Sequence, residues 1–290
     1  MKYANRAGLT FLVPALLIIA FVLLFPIFQT IVLSFGRNST SVFIGYEYAG
    51  LANYQRLLNT PRFITSLNNT ILFTAVTVPI ELVIGIGLAL VLDRNFRGKG
   101  LVRMAVLFPW ALPTALNALM WRWMFNTEFG LFNSMLSDIG LIADRINWLG
   151  AIPSAMHMMM FVSIWKTSSF MALLLLAGLQ TIPDDLYEAG SVDGTTRLSE
   201  FRFITLPLLK PAILVSVLLR TMDAMRAFEL PFNLTDGGPL TSTETLSLYA
   251  YRAIFQYVNF NLGSSAILIQ FIIIMTISVF YILMIRRGEM

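Results

Sequence analysis

Six apolar stretches, near residues 9–35, 66–92, 103–125, 154–180, 208–229 and 263–285, decide what this chain can fold into. Each is long enough to cross a hydrocarbon core as a helix, which takes about 20 residues. Composition agrees: of 290 residues, 57% are hydrophobic and only 12% charged, where soluble domains run near a quarter charged. The expected fold class is an all-α membrane protein with six transmembrane helices. The first stretch follows Lys2 and Arg6, as a signal peptide would. Its apolar run, however, exceeds the about 7–15 residues of a signal core, and it ends in FPIFQT rather than in small residues. It is read as a retained span.

Lysines and arginines orient the spans. Eleven of the twenty, among them Lys2, Arg6, Arg94, Arg97, Arg197, Lys210, Arg286 and Arg287, flank one set of span ends. Six flank the other set, and Lys166, Arg220 and Arg226 fall within spans. The excess places both termini, and the loop between the fourth and fifth spans, in the cytoplasm. The outer connections are then 36–65, 126–153 and 230–262. Trp123 and Trp148 stand where interfacial aromatic belts are expected.

That loop, Pro183 to Pro211, is the longest polar segment between two strongly apolar ones. A short helix can start after Pro183, with Asp184 and Asp185 in its first turn at the positive end of the dipole. Gly194 permits a sharply turned backbone, and a second helical piece runs from Arg197 towards Pro207. Two small helices joined at a glycine suit docking better than chemistry.

The spacing inside this loop carries a resemblance. Glu188-Ala189-Gly190, three residues to Gly194, then nine to Ile204-x-Leu206-Pro207 resembles the coupling-loop signature of the membrane subunits of ABC importers. The nearest type is the maltose and trehalose permeases. Gly190 stands where that signature has a second Ala, and an interior Gly costs a helix about 0.5–1 kcal/mol. Trp121-x-x-x-Phe125-Asn126 with Gly130 and Asn133, and Leu234-Thr235-x-Gly237-Gly238-Pro239, resemble further segments of the sugar permeases. The resemblance thus covers most of the chain from about residue 66. It implies an ABC importer type I permease fold, in which 1–65 holds the first helix and an outer loop. Residues 66–290 would form a core of five spans with the cytoplasmic coupling loop 183–207. By the same resemblance Glu188, Ala189, Gly190, Asp193, Gly194, Ile204, Leu206 and Pro207 are the ATPase-coupling residues.

Charge inside a span is costly and usually functional. Arg220, Asp223 and Arg226 recur every three residues on the fifth span, and Glu229 continues the series. Their face either pairs within the helix or lines a cavity and bonds polar cargo. On the fourth span, Trp165-Lys166-Thr167-Ser168-Ser169-Phe170 interrupts an apolar helix, with Trp165 roughly 16 Å deep at 1.5 Å per residue. An indole face beside hydroxyls suits a sugar ring, and the resemblance puts sugar contacts in this segment. Lys166 can instead pair with Asp223 or Glu81. On the third span Trp110, Thr114, Asn117 and Trp121 fall on one helical stripe, and the first two match sugar-contacting positions of maltose-type permeases. The candidate cargo contacts are therefore Trp110, Thr114, Asn117, Trp165, Lys166, Thr167, Phe170, Arg220, Asp223 and Arg226. Pro109 and Pro113, four apart, interrupt backbone pairing in mid-membrane, as a packing kink or as a broken helix at a transport site.

There is no cysteine and one histidine, His157, so no thiolate metal site and no thiol nucleophile is available. No G-x-x-x-x-G-K-[ST] phosphate loop occurs, and no nucleophile–base pair is evident, so the chain is read as a transport subunit rather than an enzyme. No cofactor is expected in this chain. The resemblance implies two copies of a nucleotide-binding ATPase subunit carrying ATP and Mg, a second homologous permease subunit, an extracytoplasmic sugar-binding protein and surrounding membrane lipid. No nucleic-acid partner is expected. The location implied is a bacterial or archaeal cytoplasmic (inner) membrane, and the cargo a neutral disaccharide or glycoside. The rival reading is an ion-coupled secondary transporter for a small polar solute, using Asp223, Glu81 and Glu229.

Overall fold

A computed structural model describes residues 12–37 and 45–288. Lys2, Arg6 and the side chains of Arg286 and Arg287, which entered the topology count, lie outside the described residues, as does the start of the first span. Among the described residues the chain is helical apart from a two-stranded ribbon, β1 (Gly36–Arg37) with β2 (Glu47–Tyr48), antiparallel. Five helices are long and apolar enough to cross a membrane: α1 (Leu12–Ser34), α3 (Pro61–Asp93), α7 (Ser154–Leu179), α9 (Arg197–Met225) and α12 (Phe260–Gly288). α4 (Lys99–Ala111) and α5 (Thr114–Met124) form a bent pair at 93° to each other, which counts as a sixth span when the pair is taken as one. Shorter helices are α2 (Ala52–Leu58), α6 (Leu131–Asp138), α8 (Asp185–Val192), α10 (Glu229–Leu234) and α11 (Leu246–Tyr251).

Two compact units result. Of the described residues, one comprises 12–37 and 45–64 with 249–272, and the other 65–248 with 273–288. In the first, the ribbon end of α1 is fastened by side chains: Asn53 donates to the carbonyls of Ser34 and Gly36, and Asn261 to that of Leu33. The second unit contains the core, where Met159, Met171, Leu175 and Leu209 are fully buried.

Within that unit the bend has a local cause. A residue before proline is pushed out of the helical region, and Leu112 is accordingly extended (φ −70°, ψ 133°), as is Pro113 (φ −55°, ψ 135°). Pro109, expected to interrupt pairing as well, instead sits buried inside α4. The stretch near 103–125 is therefore two helices rather than one straight span.

A second difference lies at the fifth span. The helical piece from Arg197 does not stop at Pro207 but runs on to Met225, 29 residues in all. It contains a wider π turn at Phe201–Thr205. That turn ends two residues before Pro207, whose missing N–H breaks regular pairing there. The helix ends at Met225, so Glu229 belongs to α10 and not to the i, i+3 series of Arg220, Asp223 and Arg226.

Beyond α5, Asn133 organises the connection. Its amide donates to the carbonyls of Thr127 and Ile146, and its oxygen accepts from Ile146 N–H and the indole of Trp148. Trp148 is thus half-buried on a polar partner, whereas Trp123 remains exposed.

Candidate functional site

A cavity of about 660 Å³ opens in the second unit, walled by α3, the α4–α5 bend, α7, the end of α9 and the start of α10. Nine of the ten expected cargo residues line it: Trp110, Thr114, Asn117, Lys166, Thr167, Phe170, Arg220, Asp223 and Arg226. The tenth, Trp165, faces elsewhere. It meets Trp121 edge-on at 5.3 Å and lines a separate, smaller hollow of about 330 Å³ with Pro109, Phe161, Ser168 and Ser169. Trp121 does not line the cavity either; it stacks on Phe125 and Phe132. The stripe expected on the third span is thus broken at Leu112–Pro113, yet Trp110 and Thr114 still meet the same space from its two arms.

Helix geometry explains the split on α7. Ser163, Lys166, Thr167 and Phe170 are spaced i, i+3, i+4, i+7 and share the cavity face. Phe161, Ile164, Trp165 and Ser168 have the same spacing on another face. Ser163, not expected at the site, was legible from that period. Phe73 and Phe228 add apolar lining that no charge or motif signalled.

Charge in the cavity is arranged in pairs. Glu81, in the second half of α3 and fully buried, accepts from Arg220 Nε at 2.9 Å and from Arg220 Nη2 at 3.2 Å. Its Oε1 also accepts from Ser163 Oγ at 3.2 Å and Thr167 Oγ1 at 2.5 Å. A carboxylate removed from water is tolerable only with such full pairing. Asp223 accepts from Arg226 at 2.8 Å and lies 3.8 Å from the other prong of Arg220. The residues of this face thus pair with one another and also line the cavity.

Lys166 pairs with neither Asp223 nor Glu81. Its ammonium donates to the backbone carbonyls of Trp110 at 3.1 Å and Leu112 at 2.8 Å. One turn further along α7, Phe170 stacks on Trp110 with ring centres 5.5 Å apart. Asn117 is 1% exposed, yet neither its amide nitrogen nor its oxygen has a hydrogen-bond partner among the described residues. A buried amide in that condition needs an explanation.

The polar loop forms a second feature. Asp184 stands at the N-cap position of α8 without a side-chain capping bond, Asp185 and Glu188 lie in its first turn, and Gly194 takes the left-handed conformation (φ +75°). Thr196 then caps α9 by accepting from Ser199 N–H at 3.3 Å. Tyr187 and Thr205 hydroxyls meet at 3.0 Å, and Ile204 packs against Gly190, where an added methyl would lie 3.2 Å from Ile204 Cδ1 and 3.0 Å from Thr195 Oγ1. Gly190 is buried, while Glu188, Ala189, Asp193, Gly194, Leu206 and Pro207 are exposed. Val192, Leu198 and Phe203 present large apolar side chains at 87%, 75% and 70% exposure. The loop is a folded elbow whose second arm is the fifth span itself.

A polar cavity in a bundle of spans, with such an elbow, defines a membrane transport subunit. Residues 81–287 match the family described as binding-protein-dependent transport system inner membrane component, and the chain belongs to that family. It is a multi-pass protein of the cytoplasmic membrane. The chain is 38% identical over 284 residues to the trehalose/maltose transport system permease protein MalF of Thermococcus litoralis, covering 97% of this chain and 95% of that one. It is also 38% identical over 278 residues to the sulfoquinovosyl glycerol transport system permease protein SmoG of Agrobacterium fabrum, covering 96% and 90%. In fold it resembles a chain of a bacterial alginate ABC transporter solved in complex with an alginate pentasaccharide-bound periplasmic protein. There the TM-score is 0.86 at 24% identity, covering 99% of this chain and 96% of that one.

Proposed function

We propose that the chain forms half of the translocation pathway of an ATP-driven, binding-protein-dependent sugar importer, and that its cavity receives a neutral disaccharide or glycoside. The observation that carries this is the charge balance of a sugar-sized, aromatic-walled cavity inside the spans. Lys166, Arg220 and Arg226 are matched by Glu81, Asp223 and Glu229 around it. A volume of about 660 Å³ falls within the about 300–1,000 Å³ of small-molecule sites. The stacked Trp110–Phe170 pair offers a flat face to the C–H side of a pyranose, and the unpartnered amide of Asn117 offers one donor and one acceptor to its hydroxyls. The name of the trehalose/maltose relative supports a neutral disaccharide; that of the sulfoquinovosyl glycerol relative supports a glycoside, there one bearing an anionic sulfonate.

In this reading both termini and the Glu188 elbow are cytoplasmic. The coupling residues Glu188 to Pro207 dock on an ATPase subunit, present in two copies and carrying ATP and Mg. Because α9 is one helix from Arg197 to Met225, movement of the elbow is transmitted along its length, about 43 Å at 1.5 Å per residue, to the cavity wall at Arg220 and Asp223. A second homologous permease subunit completes the pathway, and an extracytoplasmic binding protein delivers the sugar. Residues 66–290 are the permease core, and 1–65 an added helix and outer loop. The test is purification of the tagged chain in mild detergent from its own cells. An ATP-hydrolysing subunit and a second permease are expected to travel with it, and sugar-loaded binding protein is expected to stimulate their hydrolysis. A chain that purifies as an active transporter without any ATPase would overturn the assignment.

A further inference from the structure

One ammonium and two carbonyls hold the broken third span in shape. In an unbroken helix the Trp110 carbonyl would accept from the N–H four residues on, and the Leu112 carbonyl likewise. The 93° turn at Leu112–Pro113 removes those donors, and lipid offers no water to replace them. Lys166 supplies both bonds, at 3.1 and 2.8 Å, from halfway along α7. It is 9% exposed; Glu81 is engaged with Arg220 and Asp223 with Arg226, while Glu229 acts on the ammonium through space without a hydrogen bond to it. A cation also suits the negative end of α4. Phe170, on the same face of α7, grips the same turn through the Trp110 ring. An ammonium has three donors, and two are spent on the bend.

We propose that Lys166 is a positioning residue: through the Trp110 and Leu112 carbonyls it fixes the break in the third span, and so sets where Trp110 and Thr114 stand in the cavity wall. This rests on the reading of the cavity as the cargo site. Direct contact with cargo alone would leave the bend indifferent to Lys166. The positioning role makes the bend depend on it.

The chain has no cysteine, so paired spin labels can be placed at Met104 and Trp123, which are 63% and 67% exposed, one on each arm. In the full chain in nanodiscs, Lys166→Met is expected to lengthen and broaden the label separation, and Lys166→Arg to restore it. In the assembled importer, the KM for trehalose or maltose uptake should rise about tenfold in Lys166→Met, the loss of roughly one charged hydrogen bond, and recover in Lys166→Arg. Should Lys166→Met fail to assemble, Lys166→Ala, which likewise removes every donor, is read in the same way. An unchanged label separation in the neutral variant overturns the proposal, and so does a changed separation with parental KM. If the parent takes up neither trehalose nor maltose, the sugar reading fails while the label distances still decide the role of Lys166 in the bend.

Discussion

Arg220 and Glu81 face each other in a two-pronged ion pair, Nε to Oε2 at 2.9 Å and Nη2 to Oε1 at 3.2 Å, that ties the fifth span to the second. Both side chains are withdrawn from solvent, at 7% and 0% exposure. The helix that carries Arg220 begins at the elbow, so this pair lies at the far end of the lever proposed for coupling.

Breaking the pair from one side leaves an uncompensated buried charge, which costs about 3–5 kcal/mol, whereas replacing both partners by apolar groups of similar volume is often neutral. Glu81→Leu is therefore expected to lower the thermal unfolding midpoint of the purified protein strongly. Glu81→Leu with Arg220→Met should recover most of that loss. Simple additivity of the two single losses would contradict the pairing.

Asn117 gives a prediction with opposite signs. Its amide is buried without a partner among the described residues, and an unsatisfied buried polar group costs about 1–3 kcal/mol. Asn117→Leu should leave cargo-free stability unchanged or higher while raising the KM of uptake about tenfold. Loss of stability with unchanged KM would place the amide in the packing of the helix instead.

Gly194 turns the elbow at φ +75°, with nothing within 4 Å of where a methyl would stand. The cost of Gly194→Ala is then that of the backbone alone, about 1–2 kcal/mol, and should weaken coupled ATP hydrolysis more than global stability. Equal activity and equal stability in the variant would mean that the turn relaxes at no cost.

Glu188 is exposed on α8, so Glu188→Lys should not disturb the fold. Assembly with the ATPase subunit should weaken and uptake should be lost. Normal coupled hydrolysis in the variant would remove Glu188 from the docking surface.

Much of this was legible in the residues because lipid leaves few choices. Long apolar runs must be helices, and charges within them must converge or pair. The proline at 113 announced the break, though not that Pro109 would stay helical. Trp165 to Phe170 is not one patch because a run of six covers more than a full helical turn: Ser163, Lys166, Thr167 and Phe170 share the cavity face, and Trp165 and Ser168 fall on the face of the smaller hollow. The i, i+3, i+4 period separates them and brings in Ser163. Glu81 was visible as an intramembrane acid, but its partner was not. Arg220 is 139 positions away, and only tertiary packing selects it over Lys166. The capping of Trp110 and Leu112 by Lys166 was invisible, because carbonyls freed by a bend leave no mark in the sequence. Nor did the spacing reveal that Arg197–Met225 is one helix, since the piece from Arg197 was read towards Pro207 and the span as starting at 208.

The central claim is that another subunit's nucleotide cycle drives solute through this chain. The most direct measurement is uptake of labelled trehalose or maltose into sealed liposomes containing the assembled importer, with and without ATP, and with and without its binding protein. The account predicts accumulation only when both are present. Accumulation by this polypeptide alone, driven by a proton or sodium gradient without nucleotide, would contradict it.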